Sequence, residues 1–196
     1  VDVGAILEKF TPGPRFAFSA AYPYVYTRDG TPILLLPRPP LRVSPNAIEA
    51  DTDKLIKEKV GLAKKLQKTV YISSGIAQHL RSGAWNVDTL FHRAVQRQVK
   101  IFNSTLWLQE ELGKFRKHQK PKTLWKQAVI QRNSVDRLAG ATVEGILFQQ
   151  GETFYNTRYV GVWFAVWADD ALWSEVQGAL RFMADTGLGG KRSVGK

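Results

Sequence analysis

The chain has 196 residues, 44% of them hydrophobic, with three His and no Cys, and its 28 Lys and Arg against 17 Asp and Glu give a formal charge of +11. Length and apolar content fit one large or two small globular domains and exclude a disordered chain. The lack of Cys excludes a disulfide framework and any thiolate metal site, no apolar run of about 18 residues is present to span a membrane, and a charge this positive favours a polyanion, either nucleic acid or an acidic membrane surface.

Residues Asp2 to Phe10 have helical spacing, with Ile6, Leu7 and Phe10 on one side. Thr11-Pro-Gly-Pro14 breaks that helix, and Phe16–Phe18 reads as a short strand. Ala21 to Pro40 holds aromatics and five prolines around Ile33-Leu-Leu-Leu36. It reads as extended chain and loop packed on a surface, because proline cannot donate to a central ladder. From Ile48 to Lys68 the spacing predicts a helix with Leu55, Ile56, Val60, Ala63 and Leu66 on one face. The other face carries Lys54, Lys57, Lys59, Lys64, Lys65 and Lys68 and reads first as a solvated face. Val70–Ser73 is a predicted strand and Gly75–Arg81 a predicted short helix, while Leu90–Phe102 and Thr105–Phe115 fit either state.

Between Lys114 and Lys126 come six Lys and Arg and no Asp or Glu, with Phe115, His118 and Trp125 interleaved. Such a mixture either tracks a phosphate backbone and stacks bases or forms a basic loop. Leu124–Ile130 follows as a strand, and Gly145–Asn156 as a projecting hairpin that turns at Gln150-Gly151. Tyr159–Ala168 reads as one strand, apolar on both faces, which calls for a second layer or another subunit. Asp169 or Asp170 then caps a helix running to about Ala184, its apolar face formed by Leu172, Val176, Ala179, Leu180 and Met183.

The final stretch, Gly187-Leu-Gly-Gly-Lys-Arg-Ser-Val-Gly-Lys196, combines four glycines with Lys191, Arg192 and Lys196. Exposed backbone N–H groups and cations on a glycine-rich loop suit a phosphate chain. Gly190 to Lys196 spells G-x-x-x-x-G-K, but it follows a helix rather than a strand, and no Ser or Thr follows the lysine to hold magnesium. A triphosphate site is therefore not expected, and a nucleic-acid backbone fits better. The chain opens on Val1 and ends inside this loop, so it is expected to be part of a longer protein.

The helix and glycine-rich loop, together with Arg132-Asn-Ser-Val-Asp-Arg-Leu-Ala-Gly-Ala-Thr-Val-Glu-Gly-Ile-Leu-Phe148 and Glu152-Thr-Phe154, resemble two hallmarks of the RAMP superfamily, the RNA-binding subunits of CRISPR effector complexes. Gly13-Pro-Arg-Phe-Ala-Phe-Ser19 with Leu36-Pro-Arg-Pro39 is similar to one branch, the fourth, Cas-five-like subunit of type III-A (Csm) complexes. Ala20 departs from that branch, which places an acidic residue after the matching serine. The resemblance is specific near the C-terminus and weak from Ile48 to Trp125.

The resemblance implies an α+β, ferredoxin-like (RRM-like) RAMP fold in two partly incomplete units, residues 1–125 and 126–196, with a projecting hairpin and a glycine-rich loop. It implies a cytoplasmic antiviral subunit, without cofactor or metal, that holds the 5′ handle of a guide RNA and contacts the large polymerase-like subunit and a backbone RAMP subunit. Its RNA-binding residues would be Arg132, Asn133, Ser134, Arg137, Phe148, Phe154, Gly187, Gly189, Gly190, Lys191, Arg192, Ser193 and Lys196. Some relatives cut precursor guide RNA with a histidine base, a role for which His118 is the one candidate, and a general single-stranded RNA binder is the other alternative. No nuclease activity is expected.

Overall fold

The computed structural model describes residues 15–116, 123–136 and 141–186. The described chain forms two compact units. Tyr22–Trp163 makes the larger, and the flanking residues 15–21 and 164–186 belong to the smaller. Helices and strands are mixed throughout, and no described helix is long and apolar enough to cross a membrane.

The larger unit is built on a six-stranded sheet. In chain order its strands are β2 (Tyr22–Tyr26), β3 (Pro32–Pro37), β4 (Tyr71–Ser73), β5 (Val99–Phe102), β6 (Thr105–Leu108) and β9 (Val160–Trp163). They lie in the spatial order β5-β6-β4-β3-β2-β9, all antiparallel except the β4–β6 pair. The helices α1 (Pro45–Ile48), α2 (Asp53–Gln67), α3 (Ser74–Arg81) and α4 (Val87–Val95) connect β3 to β5 around β4, and α5 (Gln109–Arg116) follows β6.

Two apolar clusters fill the unit. Leu66, Ile76, Leu90 and Phe91 from the helices close over Ile72, Val99, Leu106 and Leu108. Val25, Ile33, Leu35, Trp107, Leu112, Leu124 and Val160 form the other cluster. Successive strand residues point to opposite faces, and β6 accordingly sends Leu106 and Leu108 to one cluster and Trp107 to the other. All four of its residues are buried.

The prolines of Ala21–Pro40 do not keep that stretch out of the sheet: β3 lies fourth of six, between β4 and β2. Pro32 and Pro37 occupy its two ends. Pro23 lies just before the first β2–β3 pair, Tyr24 with Leu34, and the Leu35 carbonyl opposite it accepts the Trp163 indole N–H at 3.1 Å instead of a backbone donor. The predicted Ile48–Lys68 helix is broken at its start. Ser44 caps the short α1 and Thr52 caps α2, each accepting a backbone N–H with its hydroxyl. Ala63 and Leu66 of its predicted apolar face are buried, whereas Leu55 is exposed.

The smaller unit contains β1 (Phe16–Phe18), β10 (Val166–Ala168) and α6 (Asp170–Thr186). β1 pairs antiparallel with β10, and the Arg15 guanidinium sits 2.9 Å from Asp169. The single strand expected over Tyr159–Ala168 is therefore two, since β9 pairs with β2 in one sheet and β10 with β1 in another. The exchange is made at Ala165, whose N–H donates to the Ser19 hydroxyl at 2.7 Å and whose carbonyl accepts from the Ser19 N–H at 2.9 Å. Leu172 and Val176 of the predicted helix face are buried.

Candidate nucleic-acid interface

β7 (Trp125–Asp136) and β8 (Ala141–Tyr155) form a separate two-stranded ribbon, the longest pairing among the described residues. The hairpin expected over Gly145–Asn156 is thus larger and turns elsewhere. Gln150 and Gly151 lie inside β8, opposite Ile130 and Val129, and the reversal falls at residues 137–140, outside the described residues. Twelve residues of β7 correspond to roughly 40 Å of strand. Ribbons of this kind are marginal alone and need an anchored end.

The anchor is aromatic. Trp125 stands edge-on to Tyr71 of β4, with centroids 5.7 Å apart, and to Tyr155, 6.2 Å away. Beneath it Leu124 is fully buried. Its N–H donates to the Asn103 side-chain carbonyl at 3.1 Å, and its own carbonyl accepts the Asn156 N–H at 2.9 Å. Burial, with Tyr71 beside it, raises the Tyr155 phenol above its ordinary value, so it stays a neutral hydroxyl at physiological pH. Beyond the anchor the ribbon opens to solvent: Val129 is 68% and Phe154 52% exposed.

The register brings part of the predicted site together. Arg132 pairs with Phe148 and Asn133 with Leu147, followed by an irregularity before Val135 pairs with Thr142; Ser134 lies at that irregularity. Phe154 pairs with Lys126 near the ribbon's base. In the register the Arg132–Phe148 pair thus lies six residues along the ribbon from the Lys126–Phe154 pair. Phe148 and Phe154 are separated by roughly 20 Å of strand. Arg137, Gly187, Gly189, Gly190, Lys191, Arg192, Ser193, Lys196 and His118 lie outside the described residues.

Two aromatics of the basic Lys114–Lys126 segment serve the fold. Phe115 packs 5.1 Å from Trp107, and Trp125 is the hairpin anchor. His79 stacks on Trp85 at 4.2 Å, with Arg93 above the same ring at 5.6 Å. Sequence reasoning missed Lys126, Tyr71, Asn103 and Tyr155 as parts of the hairpin's base. The signal for Asn103 was its position, with Ser104, between two short segments rich in β-branched, aromatic and aliphatic residues, the pattern of a tight hairpin turn.

No family model matches the chain, and no curated protein matches it either. Its fold is similar to that of a chain in the crystal structure of the Csm3–Csm4 subcomplex in the type III-A CRISPR-Cas interference complex. The TM-score is 0.60 at 15% identity, over 96% of this chain and 54% of that one. The likeness is one of fold, a mixed α/β architecture, and this chain spans about half the length of the chain it matches.

Proposed function

We propose that this chain is an RNA-holding structural subunit of a type III-A CRISPR interference complex, corresponding to the Cas-five-like fourth subunit. In that role it binds the 5′ handle of the guide RNA and caps the protein filament beside the large polymerase-like subunit and a backbone RAMP subunit. The observation that carries the reading is the fold likeness over 96% of the chain. The anchored ribbon on which Arg132 pairs with Phe148 and Lys126 with Phe154 supports it, since cations interleaved with aromatics suit single-stranded RNA. We assign it no bond-breaking chemistry.

Co-expression with the other subunits of such a complex, followed by sequencing of the copurifying RNA, tests the role: small RNAs sharing one 5′ end are expected, and random fragments or none would overturn it. Incubation with labelled repeat RNA, with and without divalent metal, tests the absence of cleavage. A defined cut that disappears in His118→Ala would assign the protein to the processing endoribonucleases instead.

A further inference from the structure

The larger unit carries two further features, the first of them in the part of the chain where the sequence resemblance is weak. The first is a lysine stripe on α2. Lys54, Lys57, Lys64, Lys65 and Lys68 are all exposed, and at 3.6 residues per turn they fall within an arc of about 100° and extend over about 21 Å of helix. Gly61 sits in the middle of that arc, and a Cβ there would meet nothing within 4 Å. Among the described residues none of these lysines has a carboxylate within ion-pair distance, and Glu58 stands only at the margin of the arc. Lys59 is different: it turns to the opposite side, where its ammonium donates to the Glu49 carbonyl at 2.5 Å.

The second feature is a cavity of about 220 Å³ at the base of the hairpin, bordered by Tyr71, Asn103, Trp125, Gln127, Thr153 and Tyr155. Among the described residues no Lys, Arg, Asp or Glu borders it. Its wall is preset. Asn103 and Ser104 hold φ of 51° and 56° in the tight β5–β6 turn, and the Ser104 carbonyl accepts the Val70 N–H at 2.7 Å. Among the described residues the exposed side chains of Gln127 and Thr153 have no hydrogen-bond partner. Val70 also borders the cavity and follows Lys68 by two residues, so their Cα atoms lie within about 7.6 Å. Lys68, the last lysine of the stripe, is therefore close to the Val70 border of the cavity.

We infer that this cavity takes one unstacked base of a single-stranded RNA whose phosphates follow the lysine stripe of α2. The inference rests on the RNA-holding role proposed above and adds to it a contact area on the larger unit. A neutral cavity with aromatic walls and amide and hydroxyl groups suits a base edge, whereas an unpaired row of ammonium groups suits phosphates. The open glycine lets the strand approach the helix between the lysines.

The test uses the full chain and a fluorescein-labelled 12-nucleotide oligouridine carrying 4-thiouridine. Photocrosslinks are expected on peptides containing Tyr71, Trp125 or Tyr155. The triple variant Lys57→Ala, Lys64→Ala, Lys65→Ala should flatten the slope of log K against log salt by about 2, from about 0.7 per lost phosphate contact. Thr153→Trp, at an exposed strand position, should fill the cavity, abolish those crosslinks and weaken binding roughly tenfold without changing the slope. Gln127→Leu repeats that test should Thr153→Trp lose its fold by circular dichroism.

Crosslinks confined to other segments, or wild-type affinity and slope in the folded variants, would overturn the inference and leave the RNA-holding role standing. Failure of the wild-type chain to bind any RNA would remove both. Loss of binding to phosphatidylserine vesicles in the lysine variant, with RNA binding intact, would assign the stripe to a lipid surface and overturn the inference.

Discussion

Glu111 shows how one side chain holds two elements of the larger unit. It is the third residue of α5 and is buried. One carboxylate oxygen accepts the Leu108 N–H at the start of α5, at 3.2 Å, and the other accepts the Gly75 N–H at the start of α3, at 3.1 Å. The first bond is half of a capping box, and a negative charge between two helix N-termini is further favoured by both dipoles. It also explains Ser73: this residue precedes α3 but its hydroxyl caps nothing and is the buried polar atom without a partner among the described side chains, because Glu111 already occupies the nearby Gly75 N–H. Glu111→Ala leaves two N–H groups unsatisfied and should cost about 2–4 kcal/mol. Glu111→Gln keeps one acceptor and should cost about half as much, with urea denaturation distinguishing the two. Asp88 reports on acid. Its carboxylate accepts the Ser44 N–H at 2.9 Å, and bonding to Ser44, backbone first, holds it below its ordinary value of 3.8. A depressed carboxylate contributes stability that is fully present above the unfolded value and is lost as pH falls through the folded one. Stability measured from pH 5 downward should therefore fall below about pH 4, and Asp88→Asn should show a shallower fall; an unchanged pH profile would remove Asp88 from this role.

At the level of elements, legibility followed from whether a segment is buried on one face or two. The C-terminal helix was readable over almost its whole length because only one side is covered, with Leu172 and Val176 buried and Phe182 66% exposed. β6 was not readable because Thr105, Leu106, Trp107 and Leu108 are all buried, and a strand covered on both faces shows no alternation to separate it from a helix. The hairpin was seen but misplaced. Gln150-Gly151 has turn composition, yet the anchoring of Trp125 and Tyr155 at the base sets a register that carries both residues into mid-strand. Because closure is at the base, the outer ribbon should be dispensable for folding. Replacing residues 129–151 by Asn-Gly joins the paired Ala128 and Glu152 through a two-residue turn. The melting temperature should change by only a few degrees, while affinity for handle RNA should drop at least tenfold, scaling from charge-assisted contacts of about 1.5–3 kcal/mol each. Collapse of the fold would show that the ribbon is part of the core, and undiminished RNA affinity would show that it is not an RNA contact.

At the scale of the whole molecule, strand partnership lay beyond any local pattern. The pairing of Phe16–Phe18 with Val166–Ala168 joins opposite ends of the chain, and hydrophobic period identifies faces, not partner strands. The charge of +11, in contrast, was legible at once but says nothing about which polyanion is bound. Salt separates the two contributions. Binding of an unrelated single-stranded 12-mer draws only on phosphate contacts; with about five of them log K falls with a slope near −3.5, a loss of roughly 100-fold between 50 and 200 mM salt. A handle RNA of equal length releases the same counterions, so its line should run parallel to the first. Its advantage comes from base contacts and stacking, which salt does not screen, and should persist as a constant factor of at least ten at every salt concentration. Parallel lines held apart in this way, measured by fluorescence anisotropy with both RNAs under identical buffers, are the expected result. Coincident lines would make the chain a general basic RNA binder, because its charge alone would then account for all of its affinity.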